Sequence, residues 1–141
     1  MATLERAIEI AASAHAGQVD KAGAPYILHP LRVTMRVTSL QERMAAVLHD
    51  VVEDTSVTLQ DLISEGFPSD VILAIEALTK RPGESRIQAA ERAAANVMAR
   101  QVKLADNAEN MDLSRISNPT ERDYARVEEY TAVRELLLKH K

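Results

Sequence analysis

The chain has 141 residues, the size of one domain, and 46% of them are apolar, enough to fill a single core. It contains no cysteine, which excludes a disulfide scaffold, a cysteine-ligated metal site and a thiol nucleophile. A formal net charge of −4 argues against a nucleic-acid binder, and no apolar run approaches the roughly 20 residues of a membrane helix. We therefore expect one cytoplasmic domain over residues 1–141 that binds neither nucleic acid nor a membrane.

Helical signals dominate the start of the chain. Thr3 can cap a first helix that ends near Gly17, and the glycines and proline of residues 17–28 predict a loop. Pro30 suits the first turn of a second helix. Residues 31–37 alternate as they would in a strand, but a lone strand has nothing to pair with, so we favour the helix.

Capping residues and helix breakers divide the rest of the chain. Ser39 and Glu42 can form a capping box, which opens a third helix with apolar positions as far as Val51. The further predicted helices run from Thr58 to Gly66, from Ser69 to the break at Pro82-Gly83, over about 84–95, over about 97–112, and from Glu121 to near Leu138. The sequence therefore predicts an all-α bundle of about eight helices.

The strongest chemical signal is the segment His49-Asp50-Val51-Val52-Glu53-Asp54-Thr55. On a helix, His49 and Glu53 lie one turn apart, as do Asp50 and Asp54. Clustered acids repel one another and, at a helix C-terminus, oppose the macrodipole, so a bound cation would compensate them. Imidazole and carboxylate ligands suit Mn, Fe or Zn. A solvent-exposed acidic helix end is the alternative.

Two further residues carry a weaker signal on their own. His29 stands directly before Pro30, at the predicted junction of loop and helix. Asp106 directly follows the apolar residues Leu104 and Ala105, so it needs a partner or lies at the edge of the apolar face. Each alone is better explained as an ordinary surface or core-edge residue.

Five segments together resemble a known family. They are, in chain order, Gly17-Gln18, Lys21-Ala22-Gly23-Ala24-Pro25-Tyr26-Ile27-Leu28-His29-Pro30-Leu31, the His49 to Thr55 segment, Leu78-Thr79-Lys80, and Val102-Lys103-Leu104-Ala105-Asp106. This set resembles the HD-type hydrolase domain of the Rel/SpoT alarmone enzymes over about residues 3–138. The short chain is similar to the stand-alone small alarmone hydrolases. The resemblance implies hydrolysis of the 3′-pyrophosphate of (p)ppGpp.

The resemblance also implies roles for individual residues. The family's metal, usually manganese, is held by two histidines and two aspartates, which match His29, His49, Asp50 and Asp106. The acid pair Glu53 and Asp54 is implied to position and deprotonate the attacking water. Positions near the nucleotide match Lys21, Tyr26 and Asn110.

Three positions depart from the family pattern. Asp20 replaces an arginine that stacks on guanine, Arg86 stands where a tyrosine is usual, and Glu109 replaces a histidine. These departures leave the base open, so (p)ppApp hydrolysis, a phosphatase acting on the 2′-phosphate of NADPH, and a nucleotide-sensing module without turnover remain alternatives. A net charge of +4 over residues 79–103 and −5 over residues 42–65 fits an anionic substrate near a cation site.

The oligomeric state is open between a monomer and a homodimer. The last predicted helix has an apolar side that either completes the core or pairs two chains. Its residues are Val127, Tyr130, Val133, Leu136 and Leu137.

Overall fold

The computed structural model describes residues 2–139, which contain nine α-helices joined by turns and loops, and no strand. Met1, His140 and Lys141, which the predicted domain over residues 1–141 includes, lie outside this range. The helices are α1 Leu4–Ala14, α2 Leu28–Met35, α3 Leu40–Leu48, α4 Val51–Asp54, α5 Leu59–Ser64, α6 Ser69–Leu78, α7 Arg86–Ala94, α8 Val97–Asn110 and α9 Glu121–Lys139. The all-α prediction is confirmed, and the residues that alternate like a strand belong to α2 and the turn after it.

Several helices begin at the predicted caps. The Ser39 hydroxyl accepts from the Glu42 amide at 3.0 Å, and the Glu42 carboxylate accepts from the Ser39 amide at 3.1 Å. These two bonds satisfy amides that have no partner within the helix. The other reciprocal capping boxes among the described residues join Thr58 with Asp61 at α5 and Ser85 with Gln88 at α7.

The core is aliphatic, as the composition requires, and α3 lies at its centre. The five residues from Met44 to Leu48 are all buried, and α3 packs against α1, α2, α6 and α8. A smaller apolar cluster joins α7 to α9, where Val133 and Leu137 pack with Ala90 and Ala94. Part of the apolar side of α9 is thus used within the chain. No helix in residues 2–139 is long and apolar enough to cross a membrane.

The predicted third helix needs one correction. The sequence predicts a continuous helix as far as Val51, whereas α3 ends at Leu48 and α4 begins at Val51. The Nδ1 atom and the amide of His49 both contact the carbonyl oxygen of Ala46, at 2.5 and 3.4 Å. In a continuous helix this carbonyl would accept from the amide of Asp50, so the histidine replaces a helical bond.

Candidate active site

Four side chains from three parts of the fold meet in the interior. His29 lies in the first turn of α2, His49 and Asp50 in the break between α3 and α4, and Asp106 on α8. The Nε2 atom of His29 lies 2.8 Å from Asp106 Oδ1, and that of His49 lies 3.3 Å from the same oxygen. The Oδ2 atom of Asp50 is 3.1 Å from His49 Nε2 and 4.0 Å from His29 Nε2. One ligand-type atom of each residue therefore lies within 4.8 Å of the others.

Hydrogen bonds fix the orientation of two members of this cluster. The Nδ1–H of His49 donates to the carbonyl of Ala46, which directs Nε2 toward the carboxylates. The hydroxyl of Tyr26 donates to Oδ2 of Asp50 at 2.5 Å. Partners of this kind hold metal ligands in one rotamer and one tautomer.

Asp106 is held from its own helix. The Nδ2 group of Asn110, one turn later on α8, donates to Oδ1 of Asp106 at 3.3 Å. The ammonium group of Lys103, three residues earlier, lies 3.5 Å from Oδ2. The i,i+3 and i,i+4 spacings place all three side chains on one face of α8.

The electrostatics of the cluster are those of buried opposite charges. Burial alone would lower the pKa of His49, but the carboxylates of Asp50 and Asp106 raise it well above its usual value. Burial would likewise raise the pKa of Asp106, yet His49 and Lys103 hold it well below the usual range. Against the effect of burial, the charge of His49 also lowers the pKa of Asp50, so both carboxylates remain ionised and attract a positive charge. The nitrogen and oxygen donors of the four-residue cluster fit a borderline or hard divalent ion.

A second acidic group adjoins the cluster on α4. Carboxylate oxygens of Asp50, Glu53 and Asp54 lie within 4.8 Å of one another. Oε1 of Glu53 accepts from the amide of Lys80 at 3.0 Å. Desolvation raises the pKa of Glu53 and of Asp54, and the charge of Asp50 raises both further. Carboxylates with raised pKa values are better proton acceptors near neutral pH than ordinary ones.

A cavity of about 490 Å³ opens beside the cluster and contains all three predicted nucleotide residues in its wall. Tyr26 and Asn110 line the cavity. Tyr26 also donates a hydrogen bond to Asp50, and Asn110 donates one to Asp106. Lys21 pairs with Asp123 at 3.5 Å and stays half-exposed. Two of the three residues thus have a contact with the cluster that the sequence does not predict.

The two acidic departures from the family pattern both have arginine partners. The carboxylate of Asp20 lies 2.8 Å from Nη1 of Arg115. The buried carboxylate of Glu109 accepts from Nε of Arg32 at 3.2 Å and from Nε of Arg36 at 2.8 Å. Asp20, Glu109 and Arg115 line the cavity. Sequence reasoning missed Arg115, because no local pattern in the segment after α8 distinguishes it.

The third departure, Arg86, lies where two cavities meet. Its guanidinium is 4.8 Å from the centre of the Tyr130 ring and 3.3 Å from the carboxylate of Glu129. Arg86 lines both the main cavity and a smaller one of about 200 Å³, together with Lys103 and Glu53. Arg86 is thus a second cation, besides Lys103, in the wall that contains Glu53. The basic composition of residues 79–103 is the signal that points to it.

His15 is a further residue that sequence reasoning missed. It is fully buried, its Nδ1 atom lies 2.9 Å from Oε1 of Gln18, and its ring centre is 5.0 Å from that of Tyr26. The amide of Gln18 in turn donates to the backbone carbonyl of Asp54 at 3.4 Å. His15 thus connects α1 to the candidate site through Gln18, whose place in the Gly17-Gln18 pair is the available signal.

One protein-family model matches most of the chain. The family model described as HD domain matches residues 7–127. The chain belongs to the HD-domain family. Together with the four-residue cluster of this HD domain, family membership indicates a divalent-metal site.

Two relatives of this HD domain are considerably longer proteins. It is 37% identical over 135 residues to a probable GTP pyrophosphokinase of Mycobacterium leprae, a match that covers 84% of this chain and 17% of that protein. It is 40% identical over 81 residues to a guanosine-3′,5′-bis(diphosphate) 3′-pyrophosphohydrolase of Aquifex aeolicus, covering 55% of this chain and 12% of that one. The chain therefore spans less than a fifth of either relative.

A solved structure of similar length has the same fold. It is described as a metazoan ortholog of SpoT that hydrolyzes ppGpp and plays a role in starvation responses. The TM-score is 0.81 at 25% sequence identity, and the match covers 99% of this chain and 86% of that one. The similarity therefore includes the whole bundle around the candidate site.

Proposed function

We propose that the chain is a metal-dependent hydrolase that removes the 3′-pyrophosphate of (p)ppGpp-like nucleotides. One observation carries this proposal: two imidazoles and two carboxylates converge beside a cavity of about 490 Å³, and a second acid pair adjoins them. The names of the Aquifex aeolicus relative and of the metazoan structure support the same reaction. The cytoplasmic location stays a prediction.

His29, His49, Asp50 and Asp106 are the residues that would hold the metal, and Mn²⁺ is the ion that we propose. A bound divalent ion lowers the pKa of its water and neutralises charge on a phosphate. The protein supplies the orientation of the ligands, since the Tyr26 hydroxyl holds Asp50 and the carbonyl of Ala46 holds His49.

Glu53 and Asp54 are proposed to take the proton from the attacking water. Their raised pKa values suit that role, and the amide of Lys80 fixes the Glu53 carboxylate in one position. In the proposed step the water oxygen bonds to phosphorus and the bond from phosphorus to the ribose 3′-oxygen breaks. The ribose 3′-oxygen is the leaving group and receives the proton that the acid pair took from the water, and pyrophosphate is the second product.

The cations beside the acid pair fit the charge of the pyrophosphate group that is transferred to water. Lys80, Arg86 and Lys103 line the cavity of about 200 Å³ that also contains Glu53. Phosphate oxygens bind to such groups through charge-assisted hydrogen bonds. The proposed pyrophosphate would therefore lie between the metal ligands and these three side chains.

A substrate panel tests the reaction. The purified protein is incubated with Mn²⁺ and, separately, with ppGpp, pppGpp, ppApp or NADPH, and release of pyrophosphate and phosphate is followed. Pyrophosphate from ppGpp and pppGpp is the expected result. Phosphate from NADPH alone would identify a phosphatase instead, and nucleotide binding without any product would identify a sensing module.

Two variants test the residue assignments. Asp106→Ala should abolish both Mn²⁺ binding and turnover, because it removes a central acid of the cluster. Glu53→Gln should retain Mn²⁺ binding and slow turnover about 10²- to 10⁴-fold, the usual contribution of a positioned acid or base. Glu135→Gln, on the exposed side of α9, is the matched control. Full activity of either test variant would remove that residue from the proposed site.

A further inference from the structure

The main cavity has two ends of different chemistry. Its inner end is formed by His29, Asp50 and Asp106 of the metal-ligand candidates and by the half-buried Lys103 and Asn110. Its exposed end lies between two segments, residues 15–27 before α2 and residues 111–120 after α8. The apolar residues of that exposed end are Val19, Ala22, Leu113 and Ile116. A ligand that fills the cavity would place a charged part inward and an apolar part between the two segments.

An ion pair joins the two segments at this exposed end. The Oδ1 atom of Asp20 accepts from the amides of Ala22 and Ala24, both at 2.9 Å, which fixes the carboxylate on its own loop. Its Oδ2 atom then binds Nη1 of Arg115 at 2.8 Å. This contact uses one of the five N–H donors of the guanidinium. Arg115 is thereby held as a planar donor group in the cavity wall.

The surroundings of Arg115 suit a base better than a phosphate. The ion pair with Asp20 neutralises the charge of Arg115, and the carboxylate of Asp112 adds a negative charge to the same part of the wall, so an anion gains little there. At the other end, the three cations Lys80, Arg86 and Lys103 line the smaller cavity together with one carboxylate, that of Glu53, so phosphates meet more positive charge there. A flat, donor-bearing group among apolar side chains has the features that a purine ring requires.

We propose that Arg115, positioned by Asp20, selects the purine base and favours guanine over adenine. This inference rests on the proposed function, which supplies the nucleotide. A guanidinium presents only donors. Guanine offers two acceptors, O6 and N7, on one edge, whereas adenine offers N7 beside the N6 amino donor. Arginine donors therefore match guanine and face an unfavourable donor on adenine.

Binding of GDP and ADP to the full chain tests this selection without requiring turnover. Isothermal titration calorimetry should show that the wild type binds GDP more tightly than ADP. Arg115→Ala should weaken GDP binding about tenfold, within the range of a bidentate arginine–guanine contact, and bring the two affinities within about twofold of each other. Arg134→Ala, an exposed arginine of α9 outside the cavity wall, is the control and should leave both unchanged.

A lysine variant separates base selection from phosphate binding. Lysine keeps the charge but lacks the planar fork, so Arg115→Lys should also lose the preference for GDP. Equal weakening of GDP and ADP, a preference retained by Arg115→Lys, or no binding of either nucleotide to the wild type would overturn the inference. Hydrolysis of ppGpp with a guanine preference that survives Arg115→Ala would overturn this inference alone. Loss of the preference in a protein without turnover would instead contradict only the proposed hydrolase.

Discussion

Replacing Tyr26 with phenylalanine should weaken binding of Mn²⁺ without disturbing the aromatic ring. The lost group is a hydroxyl that donates to Oδ2 of Asp50 at 2.5 Å. A hydrogen bond to a charged group contributes about 1.5–3 kcal/mol. At 1.36 kcal/mol per factor of ten, this corresponds to an increase in dissociation constant of about 10- to 150-fold. The usual effect of removing a partner of a metal ligand, about 10- to 100-fold, agrees with that range.

The metal-free wild type and variant are each titrated with Mn²⁺, and the dissociation constant is measured by isothermal titration calorimetry. Tyr124→Phe is the control, since the Tyr124 side chain is 57% exposed on α9. The phenylalanine ring keeps the packing of Tyr26 against His15 and His29, whose ring centres lie 5.0 and 5.7 Å away. A Tyr26→Phe affinity within about twofold of the wild type would refute the reasoning from the hydroxyl contact.

Two further predictions concern stability. Leu48→Ala should lower the free energy of unfolding by about 2–5 kcal/mol in urea, because it empties a fully buried site, whereas Leu138→Ala, 60% exposed, should cost less than about 0.5 kcal/mol. Equal costs would contradict the described core. The raised pKa of Glu53 favours folding below its unfolded-state pKa, and this contribution is lost as the pH rises through the folded-state pKa. Glu53→Gln should therefore stabilise the metal-free protein at about pH 7.5 and much less at about pH 4, and an equal effect at both would contradict it.

The helices could be predicted because their signals are local. The capping box of Ser39 and Glu42 joins residues three apart, and the structure contains both of its hydrogen bonds. The choice of helix over strand for residues 31–37 was also open to reasoning, since a single strand has no partner. Short-range geometry thus sufficed for the fold class.

The break at His49 shows where local reasoning fails. The apolar pattern continues as far as Val51, so periodicity predicts an unbroken helix. The interruption comes from the His49 side chain, which bonds to the carbonyl of Ala46. A hydrophobic pattern reports which positions are buried and contains no information on a side chain that replaces a backbone bond.

For a different reason, the contact of Tyr26 with Asp50 could not be predicted from the sequence. The resemblance to the Rel/SpoT hydrolase domain implies that Tyr26 lies near a nucleotide, and Tyr26 lines the cavity. Its hydroxyl bonds to Asp50, which lies 24 positions later in the chain. Such a contact depends on how the loop packs against the break between α3 and α4.

The acidic departures from the family pattern argue against a nucleotide only when the sequence is considered alone. Asp20 and Glu109 place two negative charges in the wall of the proposed nucleotide cavity, where they would repel phosphates. In the fold, Arg115 compensates Asp20 from 95 positions away, and Arg32 and Arg36 compensate Glu109 from more than 70 positions away. Each pairing returns the local charge to neutral or positive. Asp50, Glu53 and Asp54 form a separate acidic group, beside the place where a divalent cation would bind.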